Sequence, residues 1–163
     1  MAGEQGRRIG LVSDTHGLVR PALYQLLDGV EQILHAGDVG PDDVLAQLET
    51  IAPVQAVYGN TDGAGRPRLR ESIDIEVDGV RIHVSHGHEV GAPNPERLAA
   101  AYDADVIVYG HTHRQLVTRL GSQLIVNPGA AGARRFNLEP SVAILTVARG
   151  TADVTLLPIS DSR

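Results

Sequence analysis

The sequence predicts an α/β domain built on mixed β-sheets, and three observations support that fold class. Short apolar runs alternate with segments of helical periodicity through the first third of the chain. Strand-like runs separated by turn-forming dipeptides dominate the rest of the chain and favour antiparallel strands. The 163 residues, of which 42% are hydrophobic, suffice for one compact core, so we expect a single domain over residues 1–163.

The first third of the chain predicts a β-α-β-α-β series. Strands are expected at residues 9–13, 32–35 and 54–58, because each is a short apolar run that ends in small polar residues. Helices are expected at residues 21–27, which begin with proline, and at residues 41–50, which carry aspartates in the first turn. Strands connected in this way are parallel with right-handed crossovers, so their polar loops meet at one sheet edge.

The remainder of the chain predicts a hairpin, one helix and further strands. Asp78-Gly79 is a two-residue turn typical of an antiparallel hairpin, and Asn94-Pro95 is typical of a helix start. The helix is expected over residues 94–102. Two sheets are favoured over one, and the strands expected in this part are residues 73–77, 80–85, 105–109, 116–119, 123–126, 142–148 and 154–158, with the last four antiparallel.

Composition excludes several classes of protein. The chain has no cysteine, which excludes disulfides, thiolate metal sites and cysteine nucleophiles, so any metal must bind through nitrogen and oxygen. Acidic residues outnumber basic ones 20 to 14, and the resulting charge of -6 argues against nucleic acid as a partner. No apolar run approaches the roughly 18 residues of a membrane-spanning helix, and residues 1–8 contain no signal-peptide core. We therefore expect a cytoplasmic protein with no membrane partner.

Candidate metal ligands follow the predicted strands. Open α/β sheets bind ligands at the edge where their strands end, so the topology brings nitrogen and oxygen donors from five segments together. A carboxylate such as Asp38 can bridge two neighbouring ions with its two oxygens, and His111 and His113 can each point at a different ion. Two metals are therefore better supported than one. The donors are Asp14, His16, Asp38, Asn60, His86, His88, His111 and His113.

The order of these residues resembles the signature of the calcineurin-like metallophosphoesterases. Ser-His-Gly-His at residues 85–88 and Asn127-Pro128-Gly129 are similar to the small bacterial and archaeal phosphodiesterases, and Vps29 of retromer resembles the same subgroup. Each short string alone is common, but five in a fixed order after five strands form a specific signal. The resemblance implies a four-layer α/β/β/α sandwich of two mixed sheets. The five motifs are Asp14-x-His16, Gly37-Asp38, Gly59-Asn60-x-Asp62, His86-Gly87 and Gly110-His111-x-His113.

The resemblance also implies a role for each donor. Two divalent cations bring about +4 and two aspartates return about −2, so the site keeps a net positive charge that activates a bridging water and holds phosphate. Asp38, Asn60 and His88 are the candidate catalytic residues. Manganese is favoured as the cofactor, with nickel, iron, cobalt and zinc also suited to these ligands. Asp14, His16 and His113 would hold the first metal, Asn60, His86 and His111 the second, and Asp38 would bridge them.

One position departs from the family pattern. Larger members carry a histidine after the Gly-Asn pair, where it protonates the leaving oxygen, whereas this chain has Thr61. Such proton transfer typically contributes about 10² to 10⁴ in rate. We therefore expect a preference for good leaving groups unless His88 or a group of the substrate supplies the proton.

Arginines near the motifs have two interpretations. Residues 63–70 are expected to form a flexible loop, and its arginines are either solvated or in contact with substrate phosphate. The same alternatives hold for a later arginine pair. The candidate arginines are Arg66, Arg68, Arg70, Arg134 and Arg135.

Other polar residues are expected to support the structure. His35 and His83 lie within strands and should be packed or hydrogen-bonded, with His35 as potential support for the site. Asp62 should cap a turn or orient Asn60. The Asn127-Pro128-Gly129 segment should form a turn that can border the site.

The leading functional interpretation is a metal-dependent phosphodiesterase that cleaves a small phosphoester by attack of a hydroxide bridging two divalent metals. The alternative is a metal-binding, non-catalytic protein-interaction scaffold of the Vps29 type, which degraded ligands would favour, yet His16 and Asp38 are intact. A nuclease or protein phosphatase is a third interpretation, and the short chain argues against it. Proteins of similar sequence commonly dimerise, so a homodimer is compatible with the resemblance.

Overall fold

The computed structural model describes residues 6–135 and 137–160, and its elements follow the order that the sequence predicts. The boundaries differ from the predicted ones by at most three residues. A 3-10 turn at His88–Val90 lies between the sixth strand and the third helix. In chain order the elements are β1 (Arg7–Val12), α1 (Ala22–Leu26), β2 (Gln32–His35), α2 (Asp43–Glu49), β3 (Val54–Val57), β4 (Leu69–Arg70), β5 (Ile73–Val77), β6 (Val80–Val84), α3 (Pro95–Ala101), β7 (Val106–Val108), β8 (Leu116–Leu120), β9 (Gln123–Asn127), β10 (Ser141–Ala148) and β11 (Thr151–Pro158).

The strands form two mixed sheets. The six-stranded sheet has the order β11-β10-β1-β2-β3-β4, in which β1 to β4 are parallel and β10 pairs antiparallel with β1 and β11. The five-stranded sheet has the order β5-β6-β7-β9-β8, in which β6, β7 and β9 are parallel and both edge strands are antiparallel. The predicted mixture of strand directions is confirmed. The sequence did not predict that β9 runs parallel to β7 or that β10 joins the first sheet.

The structure has four layers, and buried side chains fill the three spaces between them. Ile9 and Leu11 on β1 belong to the buried cluster that also contains Val84 and Val108 of the second sheet, so the two sheets pack face to face. The opposite face of the first sheet packs on α1 and α2, and the opposite face of the second sheet packs on Leu98 of α3. The α/β/β/α sandwich implied by the resemblance is therefore confirmed.

The segment expected to be a flexible loop is tied to the sheet. Leu69 is buried and, with Arg70, adds a short parallel strand beside β3. Arg68 contacts Glu49 of α2 at 2.6 Å, and Arg66 pairs with Asp42 just before that helix. The expectation of a flexible loop was wrong for this part, because ion pairs with α2 fix it.

None of the helices in the described ranges is long and apolar enough to cross a bilayer. The predicted single domain over residues 1–163 includes residues 1–5, 136 and 161–163, which lie outside the described residues.

Candidate metal centre

The loops that follow five strands meet at one edge of both sheets. The first sheet provides the donors after β1, β2 and β3, and the second sheet provides those after β6 and β7. The loops after β1 and β2 are joined directly, since the Asp14 N–H donates to the Gly37 carbonyl and the His16 N–H donates to the Asp38 carbonyl, both at 2.9 Å. The two sheets therefore contribute to a single centre. The first sheet contributes Asp14, His16, Asp38 and Asn60, and the second contributes His86, His111 and His113.

One group of donors surrounds Asp14 Oδ1. His113 Nε2 lies 3.5 Å and His16 Nε2 lies 3.7 Å from this oxygen, and all three donor atoms lie within 4.8 Å of one another. The other oxygen, Asp14 Oδ2, accepts hydrogen bonds from Ser13 Oγ at 2.7 Å and from the His111 N–H at 3.1 Å. Asp14 thus presents one oxygen to an ion. These three residues are the set interpreted as ligands of the first metal.

A second group of donors surrounds Asp38 Oδ2. His86 Nε2 lies 3.3 Å from this oxygen, and His16 Nε2 lies 3.6 Å from it on the side of the first group. Asp14, Asp38 and His86 form a second cluster of donor atoms within 4.8 Å of one another. Asp38 Oδ1 instead accepts the Thr61 N–H at 3.0 Å. Asp38 Oδ2 thus lies between His16 of the first group and His86 of the second.

The remaining two expected ligands lie against each other. His111 Nδ1 and Asn60 Oδ1 are 3.1 Å apart, and the His111 ring centroid is 5.2 Å from that of His86. Asn60 is exposed and His111 partly exposed, so this side of the centre faces solvent. The structure brings Asn60, His86 and His111 together, with Asn60 and His111 joined by a hydrogen bond.

Buried donor atoms fit this centre to a metal. Asp14 Oδ1, His16 Nε2 and His86 Nε2 are buried and make no hydrogen bond, although buried polar atoms are ordinarily satisfied. His86 Nδ1 lies 2.8 Å from the Ala36 carbonyl and must donate to it, which leaves the Nε2 lone pair directed at the centre. Neutral imidazole and carboxylate donors of this kind suit divalent transition metals. A cation at this point would satisfy all three atoms.

The pKa shifts differ between the Asp38–His86 pair and the other two histidines. Burial lowers the pKa of His86, but the contacts with Asp38 and Asp14 outweigh burial and raise it overall. Burial would raise the pKa of Asp38, yet His86 and the Thr61 N–H together hold it well below its usual range. Burial lowers the pKa of His113 and of His111, which favours the neutral form that ligates metals.

The backbone of the ligand loops is strained. Positive φ is uncommon outside glycine and costs about 1–3 kcal/mol per residue, less for aspartate and histidine than for β-branched residues. These loops therefore concentrate backbone strain around the centre. The ligand residues with positive φ are Asp14 (55°), His16 (46°), Asp38 (55°), His111 (73°) and His113 (64°).

Asp62 connects the loops that carry Asp38 and Asn60. Its carboxylate, 1% exposed, accepts the Val39 and Gly40 N–H groups at 3.0 Å each and the Gly59 N–H at 2.8 Å. Asp62 therefore caps the turn, as expected, and also anchors a second loop.

His35 has the supporting role that the sequence suggested as an option. It is fully buried, its Nδ1 accepts the Gly37 N–H at 3.1 Å, and its Nε2 lies 3.0 Å from Thr15 Oγ1, which donates to the Val39 carbonyl at 2.7 Å. Burial lowers the pKa of His35 to about 4, so the ring is neutral. His35 thus links the loops after β1 and β2.

Asn127 fixes the loop that carries His111 and His113. Its Nδ2 donates to the Gly110 carbonyl at 3.1 Å and to Thr112 Oγ1 at 3.0 Å, and its Oδ1 accepts the Gly129 N–H at 2.9 Å. The sequence identified this segment as a turn but not these contacts, because they join residues distant in the chain.

His88 borders the second group of donors. Its ring centroid lies 5.3 Å from that of His86 and 6.3 Å from that of His111, while 31% of its side chain is exposed. His88 is therefore placed to contact a substrate beside the donors.

The candidate arginines differ in their surroundings. Arg66 and Arg68 pair with acidic residues near α2. Burial is the largest cause of the lowered pKa of His113, and the charges of His16 and Arg135 lower this pKa further. Arg70 is exposed on β4, and Arg134 Nε lies 3.4 Å from the Leu138 carbonyl. Arg66 Nη1 also lies 3.5 Å from Asp62 Oδ1, so Arg66 and Arg135 are the candidate arginines with an electrostatic link to the centre.

The chain is similar to known proteins of one family. The pattern of the Calcineurin-like phosphoesterase superfamily domain matches residues 8–150. A Methanothermobacter thermautotrophicus protein named "Probable metallophosphoesterase" is 35% identical over 150 residues, which cover 85% of each chain. A Methanocaldococcus jannaschii protein named phosphodiesterase is 31% identical over 140 residues, covering 75% of this chain and 82% of the relative.

Solved structures show the same fold. The structure of an archaeal phosphodiesterase superimposes with a TM-score of 0.72 at 26% identity, covering 92% of this chain and 99% of the other. Vps29 from Chaetomium thermophilum superimposes with a TM-score of 0.80 at 21% identity, covering 96% and 97% of the two chains. At 21% identity, the similarity to Vps29 shows a shared fold and nothing more.

Proposed function

Because this chain belongs to the calcineurin-like phosphoesterase superfamily, we propose that it is a metal-dependent phosphodiesterase that binds two divalent cations, with manganese favoured. One observation carries the proposal. Asp14 Oδ1, His16 Nε2 and His86 Nε2 are buried without hydrogen bonds and converge beside Asp38. Orphaned atoms from both sheets at one point need a cation, and the relatives named above are phosphoesterases.

The residues of the centre have separate roles in this proposal. Asp14, His16 and His113 would hold one cation, Asn60, His86 and His111 the other, and Asp38 would bridge them. Two bound cations supply Lewis-acid activation of water and of the phosphoryl group. Arg135 would add positive charge on the His113 side for a phosphate oxygen.

Proton supply to the leaving oxygen falls to His88 in this proposal. Thr61 has no group that protonates an alkoxide, and its backbone N–H is engaged by Asp38. As the bond from phosphorus to the leaving oxygen breaks, the electron pair stays on that oxygen, and His88 Nε2 gives it a proton that water later restores. The oxygen of the attacking water forms the new bond to phosphorus, and the proton that this water loses passes to solvent.

The site is open to solvent on one side. Asn60 and Thr61 are exposed, so the phosphoester would approach from solvent on this side. A cytoplasmic location, a homodimer and the exclusion of nucleic acid remain predictions from the sequence.

The test begins with protein stripped of metal by a chelator. Reloading with Mn²⁺ should bind two ions per chain by calorimetry and start hydrolysis of bis-p-nitrophenyl phosphate. Asp38→Asn should abolish turnover, whereas Asp28→Asn, an exposed carboxylate near α1, should not change it.

The same experiment separates the hydrolase from the scaffold interpretation. Uptake of metal without turnover over a broad phosphoester panel, together with stable capture of a protein partner, would contradict the phosphodiesterase. Failure to bind Mn²⁺ at all would contradict both.

A further inference from the structure

We propose that Glu89 and Tyr102 are positioning residues that hold His88 beside the metal centre. The inference rests on the role proposed above for His88, and it adds two residues that lie outside the ligand motifs. It stands on a hydrogen-bonded path from the loop after β6 to the end of α3.

Glu89 ties the loop of His88 to the helix. Its Oε1 accepts the Gly87 N–H at 2.9 Å, and its Oε2 accepts the Tyr102 hydroxyl at 2.8 Å. Burial would raise the pKa of Glu89, but the neighbouring hydroxyls and backbone N–H groups outweigh it and lower the pKa, in keeping with a carboxylate that accepts on both oxygens. One side chain therefore fixes both the turn and the helix end.

Tyr102 is itself held in place. Its ring stacks on that of His83, with centroids 3.7 Å apart and planes 23° apart. His83 is 3% exposed on β6, and its Nδ1 lies 2.9 Å from Asp74 Oδ1 on the neighbouring strand. The tyrosine hydroxyl is thus a fixed point on the second sheet.

The turn that carries His88 needs such an anchor. It is one 3-10 turn of three residues, His88–Val90, between Gly87 (φ 107°) and Gly91 (φ 86°), both in conformations that other residues rarely adopt. Glycines lose the most conformational freedom on ordering, and a single turn has little cooperativity of its own. The Glu89 contacts supply the restraint that the local sequence lacks.

The anchor sets which nitrogen of His88 faces the substrate. His88 Nδ1 is buried 3.9 Å from Glu89 Oε1, so the opposite nitrogen, Nε2, points away from the anchor. The His88 ring also lies 6.5 Å from that of Tyr58, which closes its other side. Glu89 therefore acts through the placement of His88.

A leaving-group comparison tests this inference in the metal-loaded full chain. Methyl p-nitrophenyl phosphate has a good leaving group, and methyl phenyl phosphate has a poor one. Glu89→Ala should lower kcat/KM for the poor substrate by about 10- to 100-fold and for the good one by less than about threefold, because misplacement affects only the proton donor.

Two further variants and a control define the cause. Glu89→Gln keeps an acceptor for the Gly87 N–H and a polar partner for the Tyr102 hydroxyl, so it should restore most of the lost rate. Tyr102→Phe should lower the rate on the poor substrate in the same direction. Glu96→Ala, an exposed glutamate on α3, should leave both rates unchanged. Equal losses on both substrates, or no rescue by glutamine, would overturn the inference.

Imidazole NMR of the metal-free protein gives an independent readout. The spectrum of His88→Asn identifies the His88 signals, which should shift in Glu89→Ala and Tyr102→Phe and return in Glu89→Gln. An unchanged His88 signal in both variants that lose contacts would overturn the inference. If the wild type cleaves neither diester, the proposed function fails, and the NMR comparison still decides whether Glu89 places His88. If Glu89→Ala does not fold, Tyr102→Phe decides both measurements.

Discussion

Asp62→Asn is a sharp test of how the ligand loops are held. The substitution keeps the shape of the side chain and replaces one carboxylate oxygen by an NH2 group. In the native protein the Val39 and Gly59 N–H groups both donate to Asp62 Oδ2, and an amide oxygen at that position can still accept both. The new NH2 group then faces the Gly40 N–H, which loses its acceptor at 3.0 Å.

The expected loss of stability follows from these contacts. A hydrogen bond to a charged group contributes about 1.5–3 kcal/mol, and the two retained bonds weaken when their acceptor becomes neutral. The Asp62 side chain is 1% exposed, so water cannot replace the lost acceptor. We therefore expect the free energy of unfolding to fall by about 2–4 kcal/mol.

Urea unfolding of metal-free protein measures this change, and calorimetry with Mn²⁺ measures its consequence. Because Asp62 joins the loops of Asp38 and Asn60, affinity at the second cation should fall by about 10- to 100-fold, with less effect on the first. Asp62 Oδ1 lies 3.5 Å from Arg66 Nη1. Asp42→Asn is the matched control, since Asp42 also pairs with Arg66 but is 60% exposed, and it should change stability by less than about 0.5 kcal/mol. A loss under about 1 kcal/mol in Asp62→Asn, or an equal loss in the control, would refute the reasoning.

Three further predictions concern the same centre. The pKa of His35 is lowered to about 4 in the folded state against about 6.5 unfolded, so the unfolded chain binds the extra proton. The contribution of His35 to stability is full above pH of about 6.5 and falls toward about 4, and the pH slope in urea unfolding should therefore be smaller in His35→Gln than in the wild type. Gly59→Ala would place a methyl group 2.0 Å from the carboxylate proposed to be shared between the metals, so it should lower Tm strongly and abolish Mn²⁺ binding, whereas Gly65→Ala, with nothing within 4 Å, should do neither. Ser13→Ala removes one hydrogen bond to Asp14 and should lower Mn²⁺ affinity by about 10- to 100-fold in calorimetry, with a stability change near 1 kcal/mol; unchanged affinity would contradict the role of Ser13.

Local patterns account for most of the predicted fold. Strand and helix positions follow from periodicity and from turn residues such as Asp78-Gly79, which are local in the chain. The parallel pairing of β9 with β7 and the position of β10 beside β1 have no local signal, because any apolar strand fits an apolar neighbour. The short strand β4 was missed because its two residues carry no periodicity.

The meeting of the donor side chains at one edge was predictable, as were the supporting contacts of His35 and Asp62, but other supports were not. Aspartate and histidine in fixed motifs after strands mark the centre by type and order alone. The contacts of Asn127 and Glu89 join residues 17 and 13 positions apart, and nothing in either residue type indicates a partner. The hydrogen bond that Asp38 Oδ1 accepts comes from the backbone of Thr61, which no side-chain pattern reveals.

Donors from both sheets meet at this centre, and that division has a mechanical consequence. A cation bound there would cross-link the two sheets, because the first sheet supplies Asp14 and Asp38 while the second supplies His86 and His113. Any sliding of one sheet over the other pulls the coordinating atoms apart, so metal loading and sheet alignment reinforce each other. The loaded protein should therefore unfold as one unit, with both layers released together.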